Sequence, residues 1–332
     1  MDSFVVLHTD PPPGNTLESE RSELARSGAI LEVAPGRTEE ELIASVGHAD
    51  AVINTMAPIT AAVIAAMERC RVIVRTGVGV DNVDVAAATL AGIVVANVPD
   101  ATVEEVSNHA LALVLACSRK IPRLDRALRG GVWDRSLLPP MGRLSGETLG
   151  LVGFGRIARA LAAKARALGM HVVAVDPFVG PDAMAAAQVA QVTLDELLAR
   201  SDYVSLHAPL APDTRHILGA DEFARMKRTA FVINTARGAL IDQAALVRAL
   251  RGGVIAGAGL DVFEREPLPR DDPLLTIESV VLTPHSAAFS DAGVREIRRR
   301  AGEAAADVLL GVWPRGVVNG AVRPRAPLRP RQ

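Results

Sequence analysis

Short aliphatic runs recur along the chain, separated by stretches whose apolar positions return every three or four residues. Residues 4–7, 29–33, 51–54, 71–75 and 93–97 are four or five residues long and almost continuously apolar, which predicts strands covered on both faces. Between them, residues 38–46, 61–68 and 83–91 carry helical spacing, and Thr38 with Glu41 forms a capping box. Strands alternating with helices of about ten residues predict βαβ units and a parallel sheet.

Residues 102–129 read as one longer helix. Leu111, Leu113, Val114 and Leu115 make it apolar on several faces, which predicts burial. Gly130-Gly131 and Pro139-Pro140 break the chain, and a second alternating series runs from near Thr148 to about His285. Residues 291–311 are helical again, with Arg295, Arg298, Arg299 and Arg300 expected in solvent. Residues 314–332 hold four prolines and five arginines and predict a loose tail.

Length changes this picture little: 332 residues suit two domains. Composition excludes some functions. With 49% hydrophobic residues and a net charge of −2, bulk disorder is excluded and a nucleic-acid-binding role is disfavoured. Aromatics are only 3%, so the core must be built from Ala, Val, Leu and Ile. Cys70 and Cys117 can form no disulfide framework and lack zinc-ligand spacing, so they read as buried hydrophobes and no metal site is expected. No apolar run reaches the ~18–20 residues of a membrane span. Residues 1–10 lead directly into Pro11-Pro12-Pro13 rather than a signal peptide, so a cytoplasmic chain with no membrane partner is expected.

The strongest local signal is Gly153-Phe154-Gly155-Arg156-Ile157-Ala158. It follows a strand, opens a helix over residues 156–168, and precedes a second strand ending at Asp176. In this context G-x-G-x-x-A is a dinucleotide fingerprint. Gly153 permits the tight turn, Gly155 lets the backbone approach a pyrophosphate, and the helix N-terminus offers free N–H groups. Asp176 at the second strand's end suits adenine-ribose hydroxyls and repels an extra phosphate, which favours NAD over NADP.

Three later apolar strands each end on a polar group: Arg237, the Asp261–Glu266 segment, and His285. Singly, each has an ordinary structural explanation. Together, downstream of the fingerprint, they suit oxidation of a hydroxy acid. An Arg binds the substrate carboxylate in bidentate fashion. A His exchanges the proton with the hydroxyl or carbonyl oxygen. A buried carboxylate on the other ring nitrogen orients the His.

With these motifs in order, and with Asn234-Thr235-Ala236-Arg237-Gly238, Glu266-Pro267 and Thr283-Pro284-His285, the chain resembles the D-isomer-specific 2-hydroxyacid dehydrogenase family over residues 4–320. The resemblance implies two Rossmann-like/flavodoxin-like α/β domains with parallel sheets. An NAD-binding domain of residues 101–289 would be inserted into a substrate domain of residues 1–100 and 290–332, with hinges at the two crossings. It implies Arg237 as the substrate Arg, Glu266 as the partner carboxylate, Glu264 as a surface neighbour, and His285 as the acid–base. The cofactor set it implies comprises Gly153, Phe154, Gly155, Arg156, Ile157, Asp176, His207, Ala208, Pro209, Thr214, Thr235, Ala236, Arg237, Asp261 and His285. Asp261 is assigned there to the nicotinamide carboxamide.

For substrate, Arg75 to Asp84 resembles the family's substrate loop, with Val78 and Gly79 offering backbone N–H groups and Arg75 a second cation. Met56 lies in a loop expected to close over the substrate, and Phe289, four residues after His285, is the expected determinant of substrate choice. Residues 53–121 are similar to the branch that contains the C-terminal-binding corepressors, but Ala288 replaces the Trp found three residues after the catalytic His, and Asn108 replaces a common Asp. The expected activity is NAD-dependent interconversion of a D-2-hydroxy acid and its 2-oxo acid by a homodimer joined through the NAD domains. The alternatives are an NAD(H)-sensing scaffold, or a dehydrogenase of 3-phosphoglycerate or phosphite. Phosphoglycerate is the less expected, because the C-terminal regulatory domain common there is absent from the sequence.

Overall fold

The computed structural model describes residues 3–11, 16–34, 36, 38–134 and 141–331. The proline pairs Pro12-Pro13 and Pro139-Pro140 lie outside the described residues. The chain divides into two compact units, Met1–Thr102 with Ser290–Gln332, and Val103–Phe289.

The first unit is built on five strands, β1 (Val5–His8), β2 (Ile30–Val33), β3 (Ala51–Asn54), β4 (Val72–Arg75) and β5 (Val94–Asn97). They are all parallel, in the order β2-β1-β3-β4-β5. Alternation along each strand fills two opposite layers. Ile53, Val72 and Val74 pack with Leu24 and Ala305 on one face. Val52 and Ile73 pack with Leu42, Val63 and Ala88 on the other. The small residues of helix Asp291–Leu309 let it lie close to helix Glu18–Leu24. A Cβ at Gly302 would stand 2.8 Å from the Glu20 carbonyl oxygen.

One expectation for this unit fails and a second holds only in part. Residues 314–331 are not a loose tail. Val317 bridges Ala96 on edge strand β5. The Asn319 side chain accepts from the Val95 N–H at 2.8 Å and donates to the Ile93 carbonyl at 3.0 Å. The Arg325 guanidinium donates to the carbonyls of Ala91, Met67, Glu68 and Cys70. An open strand edge needs a cover, and a segment of Pro and Arg composition supplies it. The arginines of helix Asp291–Leu309 are only partly in solvent. Arg298 is largely enclosed beside the buried Glu20 and Arg300 is drawn onto Glu296, whereas Arg295 is exposed and Arg299, which also bonds Glu296, keeps much of its side chain in solvent.

The second unit carries β6 (Thr148–Val152), β7 (His171–Val175), β8 (Ala190–Gln191), β9 (Tyr203–Leu206), β10 (Phe231–Asn234), β11 (Gly257–Leu260) and β12 (Val280–Leu282). Their order is β12-β11-β10-β9-β6-β7-β8, again all parallel. This doubly wound arrangement reverses direction between β6 and β9, where ligands enter such sheets. The helix expected over 102–129 is two helices, Val103–Arg119 and Ile121–Arg129, divided at Lys120, whose φ is 55°. Only the first is buried. The second has no buried residue and presents Ile121, Leu124 and Leu128 outward. Pro122 and the Lys120 ammonium, drawn over the Phe231 ring at 4.0 Å, account for the break.

Candidate active site

The candidate residues of the second unit lie in the segments that follow the carboxyl ends of its strands, with Arg156 and Ile157 opening the helix after β6. Gly153 directly follows β6 with a φ of 91°, and a Cβ there would lie 2.7 Å from the Ala208 nitrogen. The turn is therefore pressed against the His207–Pro209 loop that follows β9, and only glycine fits. Gly155 contrasts with it: as N-cap of helix Arg156–Ala167, it has nothing within 4 Å of an added Cβ. Its open side meets free helical N–H groups, the arrangement that receives phosphates. Asp176, directly after β7, ties the turn together. Its Oδ2 accepts from the Phe154 N–H at 2.7 Å, and its Oδ1 accepts from Phe178 at 2.8 Å and Val179 at 3.1 Å. A carboxylate has about four acceptor positions, so capacity for hydroxyl donors remains.

The Phe154 side chain is fully buried, Arg156 is exposed at the helix start, and Ile157 is half-buried. His207 bonds Ser205 Oγ at 2.9 Å, and burial lowers its pKa to about 4, so it stays neutral. Thr214 donates to the Pro209 carbonyl at 2.7 Å and holds that loop. At the end of β10, Thr235 Oγ1 is buried without a hydrogen-bond partner. An open helix terminus, an acidic residue at the β7 end and an unsatisfied buried hydroxyl fit a dinucleotide.

The candidate proton-transfer groups sit on the neighbouring strand ends. The Asn234 side chain accepts from the Ala236 N–H at 3.0 Å and donates to the Arg237 carbonyl at 2.8 Å, which folds the turn that projects Arg237. Gly238 clamps this turn to the next loop, for a Cβ there would lie 1.9 Å from the Phe263 carbonyl carbon. In that loop Glu266 Oε1 accepts from the Phe263 N–H at 2.9 Å, and Glu266 Oε2 meets His285 Nδ1 at 2.5 Å. Burial pushes the Glu266 carboxyl up, but the His285 hydrogen bond, the Phe263 N–H and the His285 and Arg237 charges outweigh it and hold the carboxyl below its ordinary value. Glu264 pairs with His216 instead, so Glu266 is the glutamate that reaches His285. His285 has a left-handed φ of 50°. With Nδ1 engaged, its Nε2 is the ring nitrogen left to meet a ligand.

Asp261 is fully enclosed. Where the resemblance assigns it to the nicotinamide, its carboxylate here bonds the loop that carries His285, accepting from Thr283 Oγ1 at 2.6 Å, the Ser286 N–H at 2.9 Å and the Ala287 N–H at 2.9 Å. Phe289 follows that loop and is 67% exposed. His109 also bonds Thr283, although no feature of its local sequence marks it out.

The first unit holds its own candidates at strand ends. Arg75 closes β4, and Gly77 leaves room for its guanidinium, which an added Cβ would strike. Its Nη2 lies 3.7 Å from Met56 Sδ. The Asp10 carboxylate gathers the N–H groups of Thr55, Met56 and Ala57 and so sets the Met56 loop. Asn97 Nδ2 donates to the Val78 carbonyl at 2.6 Å, steadying the segment that leads into Gly79.

The all-parallel sheet and the turns at its strand ends define a dinucleotide-binding α/β protein. Residues 111–287 match the family model described as the NAD binding domain of D-isomer specific 2-hydroxyacid dehydrogenase. The chain belongs to this family, and its second unit is an NAD-binding domain. It is 42% identical over 293 residues to a glyoxylate reductase of Korarchaeum cryptofilum, covering 86% of this chain and 87% of that one. It is 40% identical over 316 residues to a D-3-phosphoglycerate dehydrogenase of Methanocaldococcus jannaschii, covering 95% of this chain and 59% of that relative, so the chain spans about three fifths of its length. A solved glyoxylate reductase structure from Paecilomyes thermophila superposes with a TM-score of 0.86 at 30% identity, covering 96% of this chain and 99% of that chain. Among the described residues, no helix is long and apolar enough to cross a membrane.

Proposed function

We propose that the protein is an NAD-dependent oxidoreductase that interconverts a D-2-hydroxy acid and its 2-oxo acid. The observation that carries the proposal is the 2.5 Å bond between His285 Nδ1 and Glu266 Oε2, one strand end away from the Arg237 turn. NAD, when bound, supplies the acceptor or donor of the hydride. Gly155 and the start of helix Arg156–Ala167 would hold its pyrophosphate, Asp176 its ribose, and Thr235 and Ala236 the region of its reactive ring. Arg237 binds the substrate carboxylate and polarises the carbonyl. His285 Nε2 delivers the proton to the carbonyl oxygen in reduction and accepts it in oxidation. Glu266 holds the Nδ1–H and stabilises the imidazolium while the proton is on the ring.

Met56, Arg75, Val78, Gly79 and Phe289 complete the proposed substrate residues. The Met56, Arg75, Val78 and Gly79 assignments rest on the substrate-loop resemblance. We also infer a cytoplasmic homodimer formed through the second unit. Its support is the apolar stripe Ile121, Leu124, Leu128, Val132 and Trp133, which lies outward with Trp133 82% exposed.

The test is NADH consumption by the purified protein against a panel of 2-oxo acids that includes glyoxylate, with 3-phosphoglycerate oxidation run in parallel. Turnover of at least one compound, with NADH preferred to NADPH, is expected. Tight NADH binding with no turnover of any compound would overturn the enzyme reading.

A further inference from the structure

His109 stands on helix Val103–Arg119, one turn before Leu113 and on the same face. That face packs closely on the sheet because β11 is glycine-rich: a Cβ at Gly259 would meet Leu113 Cβ at 3.0 Å. The close approach brings His109 Nε2 to 2.9 Å from Thr283 Oγ1 and 3.5 Å from Asp261 Oδ1. Thr283 Oγ1 lies 2.6 Å from the same Asp261 oxygen. The direction of these bonds follows from the groups. The Asp261 carboxylate can only accept. The single Thr283 proton therefore points at Asp261, and the Thr283 lone pair takes the His109 Nε2–H.

The chain from His109 through Thr283 to Asp261 ends on the loop of the acid–base residue. Asp261 accepts from the Ser286 and Ala287 N–H groups with its side chain and from the His285 N–H at 2.8 Å with its carbonyl. His285 is held in a left-handed conformation that non-glycine residues rarely adopt. A conformation of this kind persists only where its surroundings over-determine it, and Asp261 supplies three of the bonds that do so here.

We propose that His109 is a positioning residue for His285, acting through Thr283 and Asp261 to fix the loop on which the acid–base stands. The inference rests on the proposed dehydrogenase function for its kinetic consequence, but the loop's order can be measured without turnover. Three variants test it: H109F removes the donor, H109Q keeps an N–H donor, and T283V breaks the relay with little change of volume. Each is compared with the wild type by amide hydrogen exchange at Ser286 and Ala287, by melting temperature, by NADH affinity and by kcat.

The expected result is faster exchange at both amides in H109F and T283V and a kcat lowered about 10-fold or more, as misplacement of a reacting group produces. NADH affinity and melting temperature should stay near wild type, and H109Q should recover most of both losses. Wild-type exchange and kcat in H109F would overturn the proposal, as would H109Q impaired as badly as H109F. If H109F does not fold, T283V decides by the same readouts. A wild type without turnover would overturn the dehydrogenase reading, and the exchange pattern would then judge the His109 link alone.

Discussion

Removing either side of the His285–Glu266 pair separates chemistry from orientation. His285→Ala should lower kcat ~10²–10⁴-fold with NADH affinity unchanged, measured by steady-state reduction of the best 2-oxo acid. Glu266→Gln should lower kcat less and leave a folded protein. Its pH dependence has a defined sign. The folded Glu266 carboxyl lies below its ordinary value, so the pair's stabilisation is present above the unfolded pKa and is lost as pH falls through the folded one. The stability difference between wild type and Glu266→Gln should hold at neutral pH and shrink below about pH 4, as read by denaturant titration. At this scale the sequence is informative where chemistry is local to a strand end. Arg237, His285, Asp176 and the two fingerprint glycines all follow apolar runs that make them conspicuous, and Glu266 closes the polar segment that begins at Asp261 after such a run. His109 follows none, because its partner Thr283 is brought to it by tertiary packing alone.

The first unit's strands are legible as elements because each is a short apolar run between turn residues, and their predicted positions differ from the observed bounds by a residue or so, whereas the two-residue β8 has no such run. Helices fare less well where one side chain decides their course. Nothing in the apolar spacing of 102–129 announces the left-handed Lys120. The exposed stripe that follows it gives a direct test. Leu124→Glu with Leu128→Glu should convert a dimer to a monomer in light scattering while leaving the fold intact, since neither side chain is buried. Helix Asp291–Leu309 is the opposite case. Gly302→Ala forces a Cβ within 2.8 Å of the Glu20 carbonyl oxygen, and overpacking of this kind costs about 1–3 kcal/mol. A lower melting temperature without change in NADH affinity is expected.

For the whole molecule, acid is the expected weakness. Burial lowers both His8 and His207 from 6.5 to about 4. Unfolding therefore takes up protons at these sites between those values, and stability should fall as pH drops from ~6.5 toward ~4. Denaturant titrations across this window should show uptake of up to about two protons from this pair. Composition misleads most at this scale. Pro and Arg in residues 314–331 resemble a linker, yet Asn319 and Arg325 are fastened to backbone groups of residues 67–95. Such contacts have no sequence-local signature.

That packing sets an order of events during synthesis. The second unit is one continuous stretch, Val103–Phe289, and has all its strands as soon as that stretch is made. The first unit begins earlier and finishes later. Until residues 291–331 have left the ribosome, one face of its sheet lacks Ala301, Ala305 and Val308, and the edge of β5 lacks its cover. The inserted domain is thus free to fold while the earlier-made strands wait, exposed, for their missing layer.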